Sequence, residues 1–311
     1  MERILAADVG VGLPSQPLMS RHRWYPIYLF TAPPTSPSTL RLVTWNIDFA
    51  TREESERLLC ILSYIRKRYP VREQGPHIPL CILLQEFPVH LFPVLLAEKW
   101  VRTNFAVVPS GMHEWPIGAT YGNVTLVSIS LPIVSAHSLL LANSRMHRTA
   151  LTVDVALRHP CTGHALTLRV VNTHLESLLS GADARRSQLA AIADILRDRG
   201  VHAGVVAGDM NAICDSDAAI PAQVGLVDTY RGDRDDLNCF TWGYQPPTQF
   251  PPGRLDRVYY TPYHGQPTTR WPLIIDAPRV IGAGLMTTRG SWVSDHSGVM
   301  TTVHFDTVWR L

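Results

Sequence analysis

Lysine is almost missing from this chain. Lys67 and Lys99 are the only two among 28 basic residues, so nearly all of the positive charge is arginine. Arginine grips phosphate with a planar pair of donors, where lysine offers a point charge. A GC-rich coding bias would leave the same excess, so composition keeps both origins open. Charge of either sign is scarce too, at 17% of residues with a formal net charge of +2. With 46% hydrophobic residues, that excludes a disordered chain. It also fails to announce a polyanion partner, since nucleic-acid-binding domains often have a pI above roughly 9. The pI here is about 8.3.

Cysteine is sparse and odd in number: Cys60, Cys81, Cys161, Cys214 and Cys239, with no CxxC pair. Neither a zinc site nor a disulfide framework is indicated, and a reducing compartment fits best. Cys60 and Cys81 lie in apolar runs and read as small core residues. Long hydrophobic runs are absent. The stretch from Ile129 to Ala142 is broken by Pro132, His137 and serines and is too short to span a bilayer. Glu2 and Asp8 make the N-terminus a poor signal peptide. No membrane partner is expected.

What is present begins at about residue 40. Residues 1–39 lack a period and end among Pro33, Pro34 and Pro37, which reads as a poorly ordered extension ahead of a folded domain at 40–311. Leu40–Trp45 and Leu80–Leu84 are buried-strand candidates. Thr51 to Tyr69 reads as a helix, with Thr51 and Glu54 at capping-box spacing and Leu58, Ile61, Leu62 and Ile65 on one face. Phe92 to Val101 reads as another. Leu151, Val153, Val155 and Leu157 alternate with Thr152, Asp154 and Ala156, so this strand should have one wet face. It should return through Cys161–Gly163 into Leu166–Val171. Asp183 to Arg199 is a helix with Leu189, Ile192, Ala193 and Leu196 inward, closed by Gly200. Gly204–Ala207, Leu255–Tyr260 and Gly298–Phe305 are further strands, and Tyr244 to Gly253 is a proline-rich loop. Hairpins mixed with helices argue a mixed α/β domain, not a doubly wound parallel sheet.

Six polar clusters sit at or just past the C-terminal ends of these strands. They are Thr44–Asp48, Gln85–Glu86, Asn172–Glu176, Gly208–Asn211, Leu255–Arg257 and Ser294–His296. Each alone is weak, since Asn or Asp after a strand is usually a turn residue. Their recurrence at one kind of position is the signal. Converged, they give carboxylates, amides and two histidines, which suit a hard cation such as Mg²⁺ better than zinc. Glu86 is the best direct metal ligand. Asp48 would hold the ion directly or through its water. Asp209 and Asn211, two apart, would face one side of an extended chain and orient water. Asp295 beside His296 could fix its tautomer or raise its pKa. His174 and Asn46 are neutral donors for a phosphoryl oxygen.

The ordered set TWN, LQE, NTHLES, GDMN, LDRV and SDH resembles the endonuclease/exonuclease/phosphatase superfamily over about residues 40–306. TWNID, THLES and the Phe240–Trp242 FTW ahead of LDR are most similar to its tyrosyl-DNA phosphodiesterase 2 (TDP2) branch. The resemblance implies a four-layered α/β sandwich, with two mixed sheets face to face and helices outside. It implies a Mg²⁺-dependent phosphodiesterase, with Mn²⁺ as a substitute. Asp48 and Glu86 match the metal positions. Asp209, Asn211, His296, Asp295 and His174 match the catalytic group. Asn46, Tyr121, Glu176, Trp242 and Asp256 would surround the substrate, with Trp242 as a stacking surface. The implied partner is a DNA 5′ end, single-stranded or a short overhang, carrying a covalent tyrosyl adduct. A monomer working in DNA repair in the nucleus or cytoplasm would follow. A phenolate leaving group, with a pKa of about 10, lowers the need for a second ion, so one metal is expected. A small phosphoester, nucleotide or phospholipid headgroup is the alternative substrate.

The sequence departs from that branch at three places. Phe49–Ala50 replace a Gly-Leu-like pair, Leu178–Leu179 replace threonine and arginine, and Ala212–Ile213 replace Leu-Arg. Two basic positions that would contact DNA are thereby lost. Arg185 and Arg186 could substitute, or could be a solvated helix face.

Overall fold

The computed structural model describes residues 37–70, 78–159, 163–233, 236–262 and 273–305. The extension up to residue 36, and Cys161 and Thr162 of the expected turn, lie outside them. The chain runs β1 (Thr39–Asn46), α1 (Glu54–Arg68), β2 (Leu80–Pro88), α2 (Phe92–Ala97), α3 (Lys99–Asn104), β3 (Phe105–Val108), β4 (Tyr121–Ser128), β5 (Ile133–Leu140), β6 (Thr149–Arg158), β7 (Ala165–His174), α4 (Ala182–Ile195), β8 (Ala203–Asp209), α5 (Ile220–Gln223), β9 (Val227–Asp228), β10 (Asp256–Tyr260), β11 (Leu273–Ile275), β12 (Arg279–Ile281) and β13 (Gly298–Phe305).

Two crossovers through helices set the topology. β1–α1–β2 and β7–α4–β8 each place their strands parallel, while the other pairings are antiparallel. One sheet has the order β11-β13-β1-β2-β4-β3, with β12 also on β13. The other has β5-β6-β7-β8-β10-β9. Leu42, Leu83, Val153, Val170, Val205 and Val303 from both sheets meet in the middle core. α1, α2 and α3 cover the first sheet through Leu58, Ile61, Leu62, Ile65 and Leu95 against Trp45, Ile82 and Leu84. α4 covers the second through Leu189, Ile192 and Ala193, with its C-cap Leu196, against Val171, Val206 and Tyr259. This is the expected four-layered sandwich, and the inward helix faces are those the periodicity picked out.

Three local expectations change. α1 begins at Glu54, and its N-cap Glu53 is left-handed with no side-chain cap, so no capping box forms. Arg57 draws the Thr51 carbonyl into its own hydrogen bonds instead. The Phe92–Val101 helix is two helices broken at Glu98, which turns extended and caps α3 by accepting from the Trp100 N–H at 3.3 Å. β6 has no wet face. Thr152 and Asp154 are buried, because Arg169 of β7 lies over Asp154 with bonds of 2.7 and 2.8 Å and donates on to the Ile195 carbonyl of α4.

One polar tie joins the sheets below their C-terminal edges. Gln85 Nε2 donates to Thr44 Oγ1 and to Asn172 Oδ1 at 2.9 and 2.8 Å. Asn172 Nδ2 donates to the Leu84 and Val124 carbonyls. Both amides are fully buried. A buried amide bonded across two sheets fixes their relative slide, since any slip leaves donors unpaired.

Candidate active site

β1 and β2 are the middle strands of one sheet, and β7 and β8 of the other. Register pairs Asn46 with Gln85, His174 with Asp209, and Asp209 with Asp256. The sequence clusters thus leave neighbouring strand ends on one edge of the sandwich. Several leave in an uncommon backbone conformation. Asp48, Glu86 and Asn211 have φ of 55°, 53° and 45°. Left-handed backbone at non-glycine residues is costly and gathers at functional sites. At Glu86 it coincides with a bulge between Leu84 and Phe87, which turns the carboxylate out of the ladder. Gly208 serves the same end. Its φ is 149°, and a Cβ there would lie 1.8 Å from the Thr173 carbonyl oxygen, so only glycine lets β8 approach β7 and aim Asp209.

Three donors surround Asp209 Oδ2. Asn46 Nδ2 is at 3.1 Å, His174 Nε2 at 3.3 Å and His296 Nε2 at 3.8 Å. Oδ1 accepts from the Asn211 N–H at 2.9 Å. The Asn211 side chain donates to the Leu175 carbonyl at 3.0 Å while Met210 enters the core. Asp209–Asn211 is therefore a turn, not the extended segment its spacing suggested. Burial raises the Asp209 pKa, and Asp256 adds to the rise against the pull of His296.

The two histidines differ in charge. Burial, then the guanidinium of Arg148, push His174 well below the ordinary imidazole range. Arg148 Nη1 lies 2.9 Å from His174 Nδ1 and must donate to it. His174 is thus neutral with its proton on Nε2, aimed at Asp209. For His296, burial is the largest influence and lowers the pKa, but Asp256 and Asp209 overcome it and hold the group well above 6.5. Its Nδ1 is 2.7 Å from Asp256 Oδ2. Asp256, not the adjacent Asp295, fixes this histidine. Asp295 accepts from Trp242 Nε1 at 3.0 Å, with Oδ1 3.9 Å from His296 Nε2. Trp242 is half-buried and bridges backbone to His296, so it braces this corner with its edge.

Glu86 Oε2 accepts from the Phe49 N–H at 3.2 Å, and Oε1 is 3.8 Å from His174 Nδ1, itself an acceptor. Burial, with Asp209 and Asp295 nearby, pushes Glu86 up to about 7 despite Asn46 and His296. A largely enclosed oxygen donor this short of positive charge fits a hard divalent cation. Asp209, Asp256 and His296 also lie within ligand distance of one another. There, however, His296 Nδ1 is taken by Asp256 at 2.7 Å, which leaves only Nε2, 3.8 Å from Asp209 Oδ2, to face an ion. Glu86 is the better fit. Asp48 is partly engaged already. Its Oδ1 accepts from the Ala50 N–H and its Oδ2 is 3.3 Å from Arg57.

Glu176 is not brought into this centre. Its carboxylate accepts from the Ser144 hydroxyl, the Arg145 N–H and Gln188 Nε2, which orders the 144–148 loop. That loop delivers Arg148, whose Nη2 donates to Ser177 at 2.7 Å and whose guanidinium lies 5.8 Å from the Tyr121 ring. Tyr121 stacks on Phe49, with centroids 3.9 Å apart and 13° between planes. Sequence reasoning missed Arg148, which carries no spacing signal. It also missed Arg57, which is buried and donates to the Ile47, Asp48, Thr51 and Val293 carbonyls. Arg57 was findable, since it shares the inward stripe of Ile61 and Ile65. Arg185 neither substitutes for a DNA contact nor faces solvent. It is buried in a two-pronged pair with Asp217 at 3.0 and 2.9 Å. Arg186 is exposed and donates to Gln223 Oε1. A cleft of about 720 Å³ lined by Phe240, Tyr244, Arg279 and Trp292 contains none of the candidate residues.

Such a site, with carboxylates for a cation and three donors around one oxygen, on the shared edge of two stacked sheets, defines a phosphoesterase. The sequence matches the model of the endonuclease/exonuclease/phosphatase family over residues 43–296, and the chain belongs to that family. No curated protein sequence matches it. Among solved structures it is similar to TDP2 of D. rerio complexed with a single-strand DNA product, with a TM-score of 0.66 and 20% identity over 86% of this chain and 99% of that one. TDP2 from C. elegans matches with a TM-score of 0.65 and 20% identity over 87% and 76%. The human Nocturnin catalytic domain with bound sulfate matches at 0.58 and 16% over 87% and 96%. At these identities the likeness speaks for the fold.

Proposed function

We propose that this chain is a Mg²⁺-dependent phosphodiesterase that releases tyrosine from a DNA 5′ end. The observation that carries the chemistry is the convergence of Asn46, His174 and protonated His296 on Asp209 Oδ2. Donors held at one point in a buried setting stabilise charge developing on phosphoryl oxygens. Asp209, whose pKa burial raises, would take the proton from the attacking water, and Asn211 holds the turn that aims it. Glu86 would hold the ion, and Asp48 would bind one of its waters. The ion would polarise the phosphoryl oxygens and neutralise their charge.

The tyrosyl substrate is supported by the branch expected from the sequence and by the TDP2 neighbours. A second reading, the same chemistry on a small phosphoester, is favoured by the lack of any lysine or arginine in residues 175–181 and 210–219, just past His174 and Asp209.

The test is release of tyrosine from a 5′-phosphotyrosyl oligonucleotide with and without Mg²⁺. Wild type should be active only with the ion. Asp209→Asn should lose about 10²- to 10⁴-fold in kcat with its melting temperature kept. Unchanged turnover in Asp209→Asn would refute the assignment.

A further inference from the structure

The loops that follow His174 and Asp209 carry leucine and isoleucine where they meet solvent. Leu178 is 61% exposed, Leu179 72% and Ile213 41%. Single exposed apolar residues need no explanation, but a group flanking a reaction centre does. These three lie on two loops that leave neighbouring strand ends. His174 and Asp209 are register partners at the ends of β7 and β8, and Leu178 and Ile213 each lie four residues beyond them. Arg185 ties the two loops together. Its Nη1 donates to the Glu176 and Leu178 carbonyls at 3.0 and 2.8 Å, and its Nη2 reaches Cys214 Sγ at 3.5 Å. Ser177, next to Leu178, accepts from the same Arg148 that touches His174.

Leu178 is also held against its own preference. Its backbone is at φ 67° and ψ 161°, a region populated almost only by glycine. A side chain that solvent would leave indifferent is thus fixed outward at a conformational cost. The Arg185 bonds and the Gly181 N–H to Leu178 carbonyl bond, at 3.1 Å, hold it there. No cation stands in either loop, and Arg185 is consumed by Asp217.

We propose that Leu178, Leu179 and Ile213 form an apolar ledge for the sugar and base of the single nucleotide next to the scissile phosphate, and that the enzyme's grip ends there instead of following the phosphates of the strand. This rests on the reading of the site as an aryl phosphodiesterase acting at a nucleotide 5′ end. A base or sugar face is sequence-tolerant apolar surface that such a ledge can cover. Affinity gained this way carries no counterion release, unlike phosphate contacts.

The experiment compares the 4-nitrophenyl ester of thymidine 5′-monophosphate with 5′-(4-nitrophenyl)phosphoryl oligonucleotides of four and ten nucleotides, across a salt series. For wild type, kcat/KM should agree within about threefold at all lengths, with a log–log salt slope no steeper than about −0.7, one phosphate's worth. Leu178→Gly should keep or raise the melting temperature while raising KM for the mononucleotide ester. The pair Leu179→Arg and Ile213→Arg should create length dependence and a slope steeper by about −0.7 per arginine. Wild-type kcat/KM that climbs with length, with a salt slope of several phosphates, would overturn the ledge and leave the phosphodiesterase reading intact. Turnover of none of the esters would overturn both.

Discussion

Glu86 shows how far one backbone angle can go toward making a site. The left-handed turn within β2 takes its carboxylate out of the sheet and into a buried space shared with Asp209 and Asp295. Without a cation it holds a proton up to about pH 7. Its folded pKa is therefore above its unfolded value. The stability linked to this proton is fully present below the unfolded pKa of 4.5 and is lost as pH rises through about 7. The term is on the order of 3 kcal/mol. Metal-free wild type should therefore melt lower at pH 8 than at pH 5.5, and Glu86→Gln should flatten that difference. Added Mg²⁺ should raise the wild-type melting temperature at pH 8 and leave Glu86→Gln unmoved. Differential scanning fluorimetry with and without chelator reads both. An unaltered Mg²⁺ response in the variant would remove Glu86 from the ion's ligands.

At the scale of elements, the site depends on the slide between two sheets. Asn46 and Glu86 come from one sheet, and His174, Asp209 and Asp256 come from the other. Distances near 3 Å across that boundary survive only if the sheets cannot shift. The Gln85–Asn172 tie sits just beneath and provides the lock. Asn172→Leu would remove its amide donor from the Leu84 and Val124 carbonyls and its acceptor oxygen from Gln85 Nε2. It should cost about 1–3 kcal/mol of stability in urea unfolding. Its kcat should fall more than its KM rises, because the donors around Asp209 lose alignment before substrate binding does. The sequence cluster LQE looked like a functional pair. Gln85 proves to be the structural half and Glu86 the chemical half, since alternation along β2 turns Gln85 inward and the bulge turns Glu86 out.

For the whole molecule, among the described residues the middle core and the two outer cores are built from Leu40 to Phe305, and β1 is an interior strand of its sheet. A chain starting at residue 37 should therefore keep the melting temperature and Mg²⁺-dependent turnover of the full chain. Circular dichroism melts of the two proteins check this, and loss of cooperative unfolding in the shorter one would show that the domain begins earlier. The weak net charge also finds its place at this scale. Several arginines, Arg148 and Arg169 among them, are inside the protein, with Arg57 and Arg185 among the largest fully buried side chains. The sequence by itself determined strands β1, β2, β6, β7, β8, β10 and β13, the inward faces of α1 and α4 and the ordered polar clusters at strand ends, because period and turn chemistry are local. Only the tertiary structure decided that Asp256 and not Asp295 holds His296, that Arg148 sets the His174 proton, and that Glu176 serves a loop. Those pairings join residues tens to hundreds of positions apart, as Trp45 Nε1 joins the His296 carbonyl at 3.0 Å. Strand register across two sheets creates them, and no stretch of sequence contains it.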